Sequence, residues 1–315
     1  MQLAQLEYLK ALRFSGGFSS AAQKLGITQP ALTLQIQKLE EELGFKLIDR
    51  SKRPLQFTRE GEIFFHKSVE ILQMVEQLKQ VSFEISEEVQ GDLKVGIIPT
   101  VAPYLVPLFI NALIAGFPYL RVEVSELKTE EIIVRLKAGT LDCGIVSTPV
   151  ITTGLLFEPL FYERFFVYVS ENHRLFEQPE IALTEIEENE IWYLEEGNCF
   201  QNQVNSMCLF NSQQTIQNFV YRSSSIESLR RIVEKENGLT FIPELATINI
   251  PAEQEDLVKT VAGEQPVREI SMAVLKNFPK ERQVAALKTV IVKSIPKRML
   301  IKPAIQVVDP KLKIG

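Results

Sequence analysis

A short stretch near the N-terminus constrains the fold of this chain more than any other part of the sequence. Small and apolar residues recur at helical spacing over residues 18 to 25 and again over 29 to 43, and Gly26 separates the two runs. Thr28 can cap the second run, and Pro30 falls in its first turn, where the missing N–H costs nothing. Two short helices joined by a glycine turn are typical of a helix-turn-helix, which the sequence therefore predicts.

The second of these helices carries side chains suited to a DNA major groove. Its apolar positions Leu32, Ile36 and Leu39 fall on one face and are expected to pack inward. Gln and Thr side chains can bind base edges and Lys and Arg bind phosphates, so the expected partner is double-stranded promoter DNA. A basic segment around residues 50 to 59 predicts a wing that crosses the sugar-phosphate backbone of the DNA. The expected DNA-binding residues are Thr28, Gln29, Pro30, Thr33, Gln35, Lys38, Arg50 and Arg53.

The distribution of charge supports this interpretation. The whole chain has a net charge of -6, which alone argues weakly against nucleic-acid binding. Residues 1 to 60, however, hold nine Lys or Arg against six Asp or Glu, whereas the remainder holds 25 against 34. A cationic N-terminal segment therefore precedes an anionic body. The acidic group Glu40 to Glu42 is expected to be a solvated face, and the alternative for the whole segment is an ordinary three-helix bundle with a charged surface.

The sequence pattern changes twice beyond this segment. A long helical pattern with an apolar seam runs from Glu60 to Glu88 and favours dimerisation, although a core helix of the first domain is the alternative. After Gly91, short β-rich runs alternate with helices, which implies largely parallel sheets and two α/β lobes with a cleft between them. The expected domains are a winged helix-turn-helix at 1–59, a linker and dimerisation helix at 60–90, a regulatory domain at 91–300 and a loosely ordered C-terminal tail at 301–315.

Several classes of protein are disfavoured by what the sequence lacks. The start has no signal-peptide pattern and no run of 18 uncharged apolar residues occurs, so we expect a cytoplasmic protein that does not bind a membrane. The three cysteines form no CxxC pair, and Cys143 lies in an apolar run that predicts burial. His66 and His173 stand alone and no phosphate-binding glycine motif occurs, so we expect no metal, no cofactor and no enzyme.

Two parts of the chain resemble a known family. The N-terminal region resembles the DNA-binding domain of LysR-type transcriptional regulators in the segments LEYLKAL, SSAAQKLGITQPALTLQIQKLEEELGFKLIDR and FTREG. The later segments IIPTVAPYLVPLF, LKAGTLDCGIV and GLTFIP are similar to that family's effector domain. The resemblance runs nearly the whole length. It implies an α/β chain with an N-terminal winged helix-turn-helix, a long linker helix and a periplasmic-binding-protein-like regulatory domain of two Rossmann-like subdomains.

The resemblance also implies how these parts are arranged. The two subdomains are expected to join at hinge crossings near residues 162 and 268, which gives subdomain I as 91–162 plus 268–300 and subdomain II as 163–267. A homodimer or homotetramer built on the linker helices is implied, with half-sites on one face of the DNA. RNA polymerase is a further expected partner.

Within this family, the chain is most similar to the branch that senses hydrogen peroxide. The similarity lies in IPTVAPYLVP, LEEGNCFQNQ, the dipeptide MC at 207 to 208, and SSSIESLRRIV. It implies that Cys199 is the peroxidatic thiol, that Cys208 is the resolving thiol, and that hydrogen peroxide is the signal for oxidative-stress genes. Independently, Asn198 is a suitable N-cap, which puts Cys199 in a first helical turn where amide dipoles stabilise a thiolate. The implied peroxide pocket consists of Thr100, Thr129, Asn198, Gln203 and Arg268.

The spacing of the two cysteines predicts how such a sensor works. If residues 199 to 208 are helical, the Cα atoms lie roughly 13 Å apart and the sulfurs point to opposite faces. A disulfide tolerates a Cα separation of only about 7 Å or less. We therefore expect that the bond cannot form unless the segment between the cysteines unfolds.

The chain departs from the family at the cysteine, and two other functions stay open. The family commonly has His before the first cysteine and Arg and Asp after it, where this chain has Asn198, Gln201 and Asn202. No cation is therefore adjacent in sequence to lower the thiol pKa.

One alternative function is a regulator of the same family that binds a small-molecule effector in the cleft between its lobes. The other is a thiol peroxidase with a DNA-binding appendage.

Overall fold

The computed structural model forms two compact units, Met1–Glu87 with Asn277–Lys280, and Glu88–Lys276 with Glu281–Gly315. None of the helices in the described residues has both the length and the apolarity that a membrane span requires. In the same residues no group of three or more His, Cys, Asp or Glu side chains is placed to hold a metal ion. The structure describes residues 1–52, 55–84, 88–195, 198–210, 221, 223–304 and 307–314, with the side chains of 80–84 and 313 left out.

The first unit is a winged helix-turn-helix followed by a long helix. Its turn is made by Gly26, whose φ of +67° is the left-handed conformation that ends a helix without steric cost. Thr28 then caps the next helix by accepting a hydrogen bond from the Ala31 N–H at 3.4 Å. The elements of this unit are α1 (Leu3–Ser15), α2 (Phe18–Leu25), α3 (Gln29–Leu43), β1 (Ile48–Asp49), β2 (Gln56–Phe57) and α4 (Arg59–Glu84).

The wing, the antiparallel pair β1 and β2, is anchored by Glu40 of α3. This carboxylate is only 2% exposed and accepts hydrogen bonds from the backbone N–H groups of Leu47 and Ile48 at 2.9 and 3.2 Å. It also pairs with Lys46 and Arg50 at 3.2 and 3.3 Å. The expectation that Glu40 belongs to a solvated acidic face is therefore wrong. The chain folds back over the end of α3, and the backbone N–H groups that it brings there need a hydrogen-bond acceptor.

Helix α4 carries a stripe of exposed apolar side chains. Ile63, Met74 and Leu78 are 62%, 66% and 74% exposed. The helix is described as far as Glu84, and the end of the expected 60–88 pattern falls partly outside the described residues. These large apolar side chains lie on one helix face and form an exposed apolar patch.

The second unit is an α/β structure built on one eight-stranded sheet. In chain order the elements are β3 (Gly91–Ile97), α5 (Ala102–Gly116), β4 (Leu120–Glu126), α6 (Thr129–Lys137), β5 (Cys143–Thr148), β6 (Val150–Ile151), β7 (Leu155–Val169), β8 (Glu180–Ile181), α7 (Cys199–Cys208), α8 (Ile226–Val233), β9 (Leu239–Pro243), β10 (Val258–Val261), β11 (Val267–Leu275), α9 (Glu281–Ser294) and β12 (Leu312–Lys313). The sheet order is β4-β3-β5-β11-β7-β10-β8, and β9 pairs with β7 off this path. Strand β3 is parallel to both β4 and β5, as expected of a strand-helix alternation. The expectation of largely parallel sheets is wrong beyond these strands, because β11 is antiparallel to β5 and β7, and β7 is antiparallel to β9 and β10.

One long strand, β7, joins the two lobes of this unit. Strand β7 has 15 residues; its first part, from Leu155 to Arg164, pairs with β11, and its last part, from Phe165 to Val169, pairs with β9. One strand therefore belongs to both lobes and changes partners in the middle. The chain has the predicted fold class, a winged helix-turn-helix with a regulatory unit of two α/β subdomains.

The C-terminal segment differs from the expectation of a loosely ordered tail. Strand β12 pairs in parallel with β6, and the Ile314 N–H donates to the carbonyl of Ile151 at 3.0 Å. Val307 forms a bridge with Val267, and the side chain of Leu312 is buried. The expectation is therefore wrong for the described residues 307–314. Periodicity could not reveal this order, because a two-residue strand is too short to show any.

Candidate redox site and DNA-binding surface

Helix α7 of the second unit begins at Cys199. Asn198 is its N-cap, and the Asn198 side-chain oxygen accepts a hydrogen bond from the Phe200 N–H at 3.0 Å. Cys199 is the first helical residue and is 5% exposed. Its sulfur is therefore held in the first turn of a helix, where the free amide dipoles favour negative charge.

A small cleft opens beside this sulfur. The Cys199 Sγ lies 2.8 Å from the Thr129 Oγ1, and either atom can donate the hydrogen bond. Thr129 itself begins α6, so two helix N-termini converge on the sulfur. The volume of the cleft is about 10 Å³, which is about the space that one water-sized molecule needs. It is lined by Ile98, Pro99, Thr100, Lys128, Thr129, Asn198 and Cys199.

Burial dominates the ionisation of Cys199. Loss of solvent raises the pKa of the Cys199 thiol above its ordinary value, and the hydrogen bond from Thr129 and the charge of Arg268 only partly oppose this. Cys199 is therefore mainly protonated at neutral pH in this conformation. Thr129 is the neighbour that favours the thiolate most strongly.

Arg268 connects the two lobes behind the cleft. Its guanidinium is fully buried, lies 2.7 Å from the Glu163 carboxylate, and donates to Thr100 Oγ1 at 3.1 Å and to the Thr100 carbonyl at 3.2 Å. It also stacks over the Phe200 ring at 4.7 Å. Burial raises the pKa of Glu163, and Arg268 lowers it. Because this ion pair is fully buried and hydrogen bonded, it fixes the position of Thr100 at the cleft.

The expected pocket residues do not all gather in one place. Thr100, Thr129 and Asn198 line the cleft with Cys199, and Arg268 reaches it through Thr100. Gln203 is fully buried but makes other contacts: its amide donates to the Val308 carbonyl at 2.6 Å, and its oxygen accepts from Ser147 at 3.5 Å.

Cys208 ends the same helix. Helix α7 has ten residues, so its first and last Cα atoms lie roughly 13 Å apart. Cys208 is a free thiol, half-buried against the apolar core of its lobe, and burial raises its pKa to about 12. The next residue, Leu209, has a φ of +55° and is 86% exposed. A left-handed backbone costs a non-glycine residue about 1 kcal/mol, so the helix ends under local strain beside Cys208.

Gln201, one of the residues expected to depart from the family, has a structural role here. Gln201 accepts from the Leu194 N–H at 3.0 Å and donates to Asn205 at 2.8 Å. Lys128 is a cleft residue that the sequence reasoning missed, and its ammonium lies 2.9 Å from Glu195. Its position just before Thr129 at the start of α6 is the signal that could have identified it.

The expected DNA-binding residues lie in the first unit. Thr28, Gln29, Pro30 and Lys38 are exposed, whereas Thr33 and Gln35 are half-buried. The Gln29 amide donates to Thr33 at 2.8 Å, and Gln35 accepts from Gln5 at 3.4 Å. Arg50 pairs with the buried Glu40 and stacks over Phe18 at 5.5 Å, so it also holds the wing in place. Arg53 lies outside the described residues.

A winged helix-turn-helix together with a two-lobed α/β unit that buries a cysteine in its cleft defines a DNA-binding regulator with a sensing domain. Residues 3–62 match the family described as bacterial regulatory helix-turn-helix protein, lysR family, and residues 86–295 match the LysR substrate binding domain. The chain belongs to the LysR family of transcriptional regulators, which confirms the resemblance seen in its sequence.

Several characterised proteins are similar to this chain. It is 35% identical to the hydrogen peroxide-inducible genes activator of Haemophilus influenzae, over 79% of this chain and 82% of that protein. It is 32% identical to the DNA-binding transcriptional dual regulator OxyR of Escherichia coli, over 81% of this chain and 82% of that protein. A full-length OxyR variant from Pseudomonas aeruginosa superimposes with a TM-score of 0.76 at 27% identity, covering 93% of this chain and 98% of that one.

Proposed function

We propose that this LysR-type regulator senses hydrogen peroxide through a reversible Cys199–Cys208 disulfide and controls oxidative-stress genes. The observation that carries the proposal is the Cys199 sulfur, which begins a helix, lies 2.8 Å from the Thr129 hydroxyl and borders a cleft of about 10 Å³. A cleft of this volume holds about one water-sized molecule, which favours a very small signal over a larger organic effector at this position. The Haemophilus influenzae relative named above, a hydrogen peroxide-inducible genes activator, supports the same signal.

The chemistry needs two steps. The Cys199 thiolate attacks one peroxide oxygen, the O–O bond breaks, and the second oxygen leaves as hydroxide and takes up a proton to give water, so sulfur is oxidised to a sulfenic acid. The Cys208 thiolate then attacks that sulfur, the S–S bond forms, the S–O bond breaks, and the sulfenic oxygen leaves as hydroxide and takes up a proton to give water. A dithiol reductant reverses the disulfide by exchange.

The two steps differ in what they require of the fold. The first needs only the cleft, in which Thr100, Thr129 and Asn198 offer hydrogen-bonding groups around the sulfur. The second needs both sulfurs within bonding distance, and the ten-residue helix α7 keeps them apart. Oxidation therefore unwinds α7 and withdraws Cys208 from the apolar core, and this rearrangement is the signal that changes DNA binding.

The proposed partners follow from the first unit and from α4. Promoter DNA is bound through α3 and the wing, and the exposed apolar stripe of Ile63, Met74 and Leu78 is covered by a second copy, giving a homodimer or homotetramer. The regulator acts with RNA polymerase in the cytoplasm, where the promoter DNA is. It is not an enzyme, so it consumes peroxide only stoichiometrically.

The test combines peptide mapping with DNA footprinting. Protein treated with one equivalent of peroxide should give a Cys199–Cys208 linked peptide and a changed footprint on promoter DNA, and both should disappear in Cys199→Ser and Cys208→Ser. A Cys199→Ser protein that still switches its footprint would overturn the proposal and favour a small-molecule effector. Sustained peroxide turnover with a reductant would instead indicate a peroxidase.

A further inference from the structure

The C-terminal segment contacts the middle of the redox helix. Two side chains of α7 donate to its backbone: Gln203 Nε2 to the Val308 carbonyl at 2.6 Å and Asn202 Nδ2 to the Pro310 carbonyl at 3.3 Å. Val308 also packs against the same apolar core as Cys208. We name residues 307–314 the C-terminal clasp. Its contacts on α7 fall between the two cysteines.

Both ends of the clasp are hydrogen bonded to strands of the second unit. The Val308 N–H donates to the Val267 carbonyl at 2.8 Å, and the Ile314 N–H donates to the Ile151 carbonyl at 3.0 Å. Strand β12 pairs in parallel with β6, and Pro310 and Leu312 are buried. The clasp thus ties the middle of α7 to a part of the molecule that the disulfide does not involve.

We propose that the C-terminal clasp holds α7 in its reduced fold and so sets the rate at which Cys208 reaches oxidised Cys199. The inference rests on the proposed peroxide function and adds an element that controls its second step. That step joins the Cys208 thiolate to the Cys199 sulfenic sulfur and releases the sulfenic oxygen as water. Since α7 must unwind first, its hydrogen bonds to Val308 and Pro310 must break before the sulfurs meet.

The clasp should act on the second step alone. The contacts of Cys199 with Thr129 and of Asn198 with Phe200 involve no clasp residue, so peroxide reacts with Cys199 equally well without it. Each side-chain hydrogen bond of this kind shifts an equilibrium by about two- to tenfold. If the clasp were only structural, its removal would lower the melting temperature without changing the rate of disulfide closure relative to the rate of sulfenic acid formation.

The experiment compares the full chain with a chain that ends at Pro303. Each is made with and without the substitution Asn202→Ala. Sulfenic acid formation is followed by dimedone trapping in the Cys208→Ser background, and disulfide closure by rapid acid quench and mass spectrometry. Truncation should accelerate closure at least fivefold and leave sulfenic acid formation unchanged. The disulfide should also become harder to reduce in a glutathione buffer, by about 30 mV for each tenfold change in the equilibrium constant.

A double-mutant comparison separates the clasp from general loosening of α7. Asn202→Ala should accelerate closure in the full chain and add nothing in the truncated chain. Asn205→Ala is the matched control, because Asn205 lies on the same helix and its side chain bonds to Gln201 rather than to the clasp. It should have the same effect in both chains.

Two outcomes overturn the inference, and a third bears on the function beneath it. Equal rates of disulfide closure with and without the clasp would refute the inference and leave peroxide sensing intact. An equal effect of Asn202→Ala in the full and the truncated chain would do the same. No disulfide in any variant would refute the proposed function itself. If the truncated chain does not fold, Ile314→Pro in the full chain removes the N–H that bonds to Ile151, restricts the backbone there, and must itself accelerate closure.

Discussion

Replacing Thr129 with valine removes the hydroxyl 2.8 Å from the Cys199 sulfur and keeps the size and branching of the side chain. Burial already raises the pKa of Cys199, and the Thr129 hydrogen bond is the strongest influence that lowers it again. Without that bond the pKa of Cys199 rises further. The thiolate, which is the reactive form, becomes rarer at neutral pH.

The size of the effect can be estimated from the hydrogen bond. A bond to a charged group contributes about 1.5–3 kcal/mol, so its loss lowers the thiolate population by roughly ten- to hundredfold. Because Cys199 and Thr129 are both buried, solvent does not screen this interaction much. A less stable thiolate is also more nucleophilic, which recovers nearly half of the loss on a logarithmic scale. Oxidation of Cys199 by peroxide should therefore slow by roughly three- to tenfold at pH 7.

The assay is the pH dependence of Cys199 oxidation in the Cys208→Ser background, with dimedone trapping of the sulfenic acid. A raised pKa means that the rate increases as the pH rises above neutral, and Thr129→Val should move that increase to higher pH. Thr289→Val is the matched control, since the Thr289 hydroxyl donates to a helix carbonyl on α9. An unchanged profile in Thr129→Val would refute the assigned role of Thr129.

Three further substitutions test the supporting structure. Glu163→Gln leaves the buried Arg268 without its counter-charge and should lower the free energy of unfolding by about 3–5 kcal/mol in urea titrations; a loss below 1 kcal/mol would contradict the assigned ion pair. Glu40→Ala leaves the N–H groups of Leu47 and Ile48 without an acceptor and should cost about 2–4 kcal/mol, and unchanged stability would argue against that anchor. Lys38→Ala should weaken promoter binding and make the dependence of log K on log salt shallower by about 1; an unchanged slope would remove Lys38 from the phosphate contacts.

Local signals explain why the helix-turn-helix could be predicted from the sequence. Gly26, Thr28 and Pro30 act on their own turn and the next one, so their effect does not depend on distant parts of the chain. The start of α7 is local in the same way, because the Asn198 side chain caps the helix that Cys199 begins. Strand-helix alternation likewise predicted the fold class of the second unit.

The remaining features depend on contacts between residues far apart in sequence. Glu40 is buried because the wing returns over the end of α3, which no pattern around Glu40 indicates. Gln203 is oriented by Val308, 105 residues away, so a motif match alone cannot show which way its amide points. Lys128 gains its place at the cleft from the approach of the second lobe.

Amide hydrogen exchange can show whether the Cys199–Cys208 disulfide forms only when α7 unwinds. Exchange should be measured by mass spectrometry on peptides covering residues 199–210, in reduced protein and in protein whose Cys199–Cys208 link has been verified. We predict protected amides in the reduced state and a loss of protection across α7 after oxidation. Equal protection in both states, with the disulfide present, would show that the bond forms without unwinding of α7.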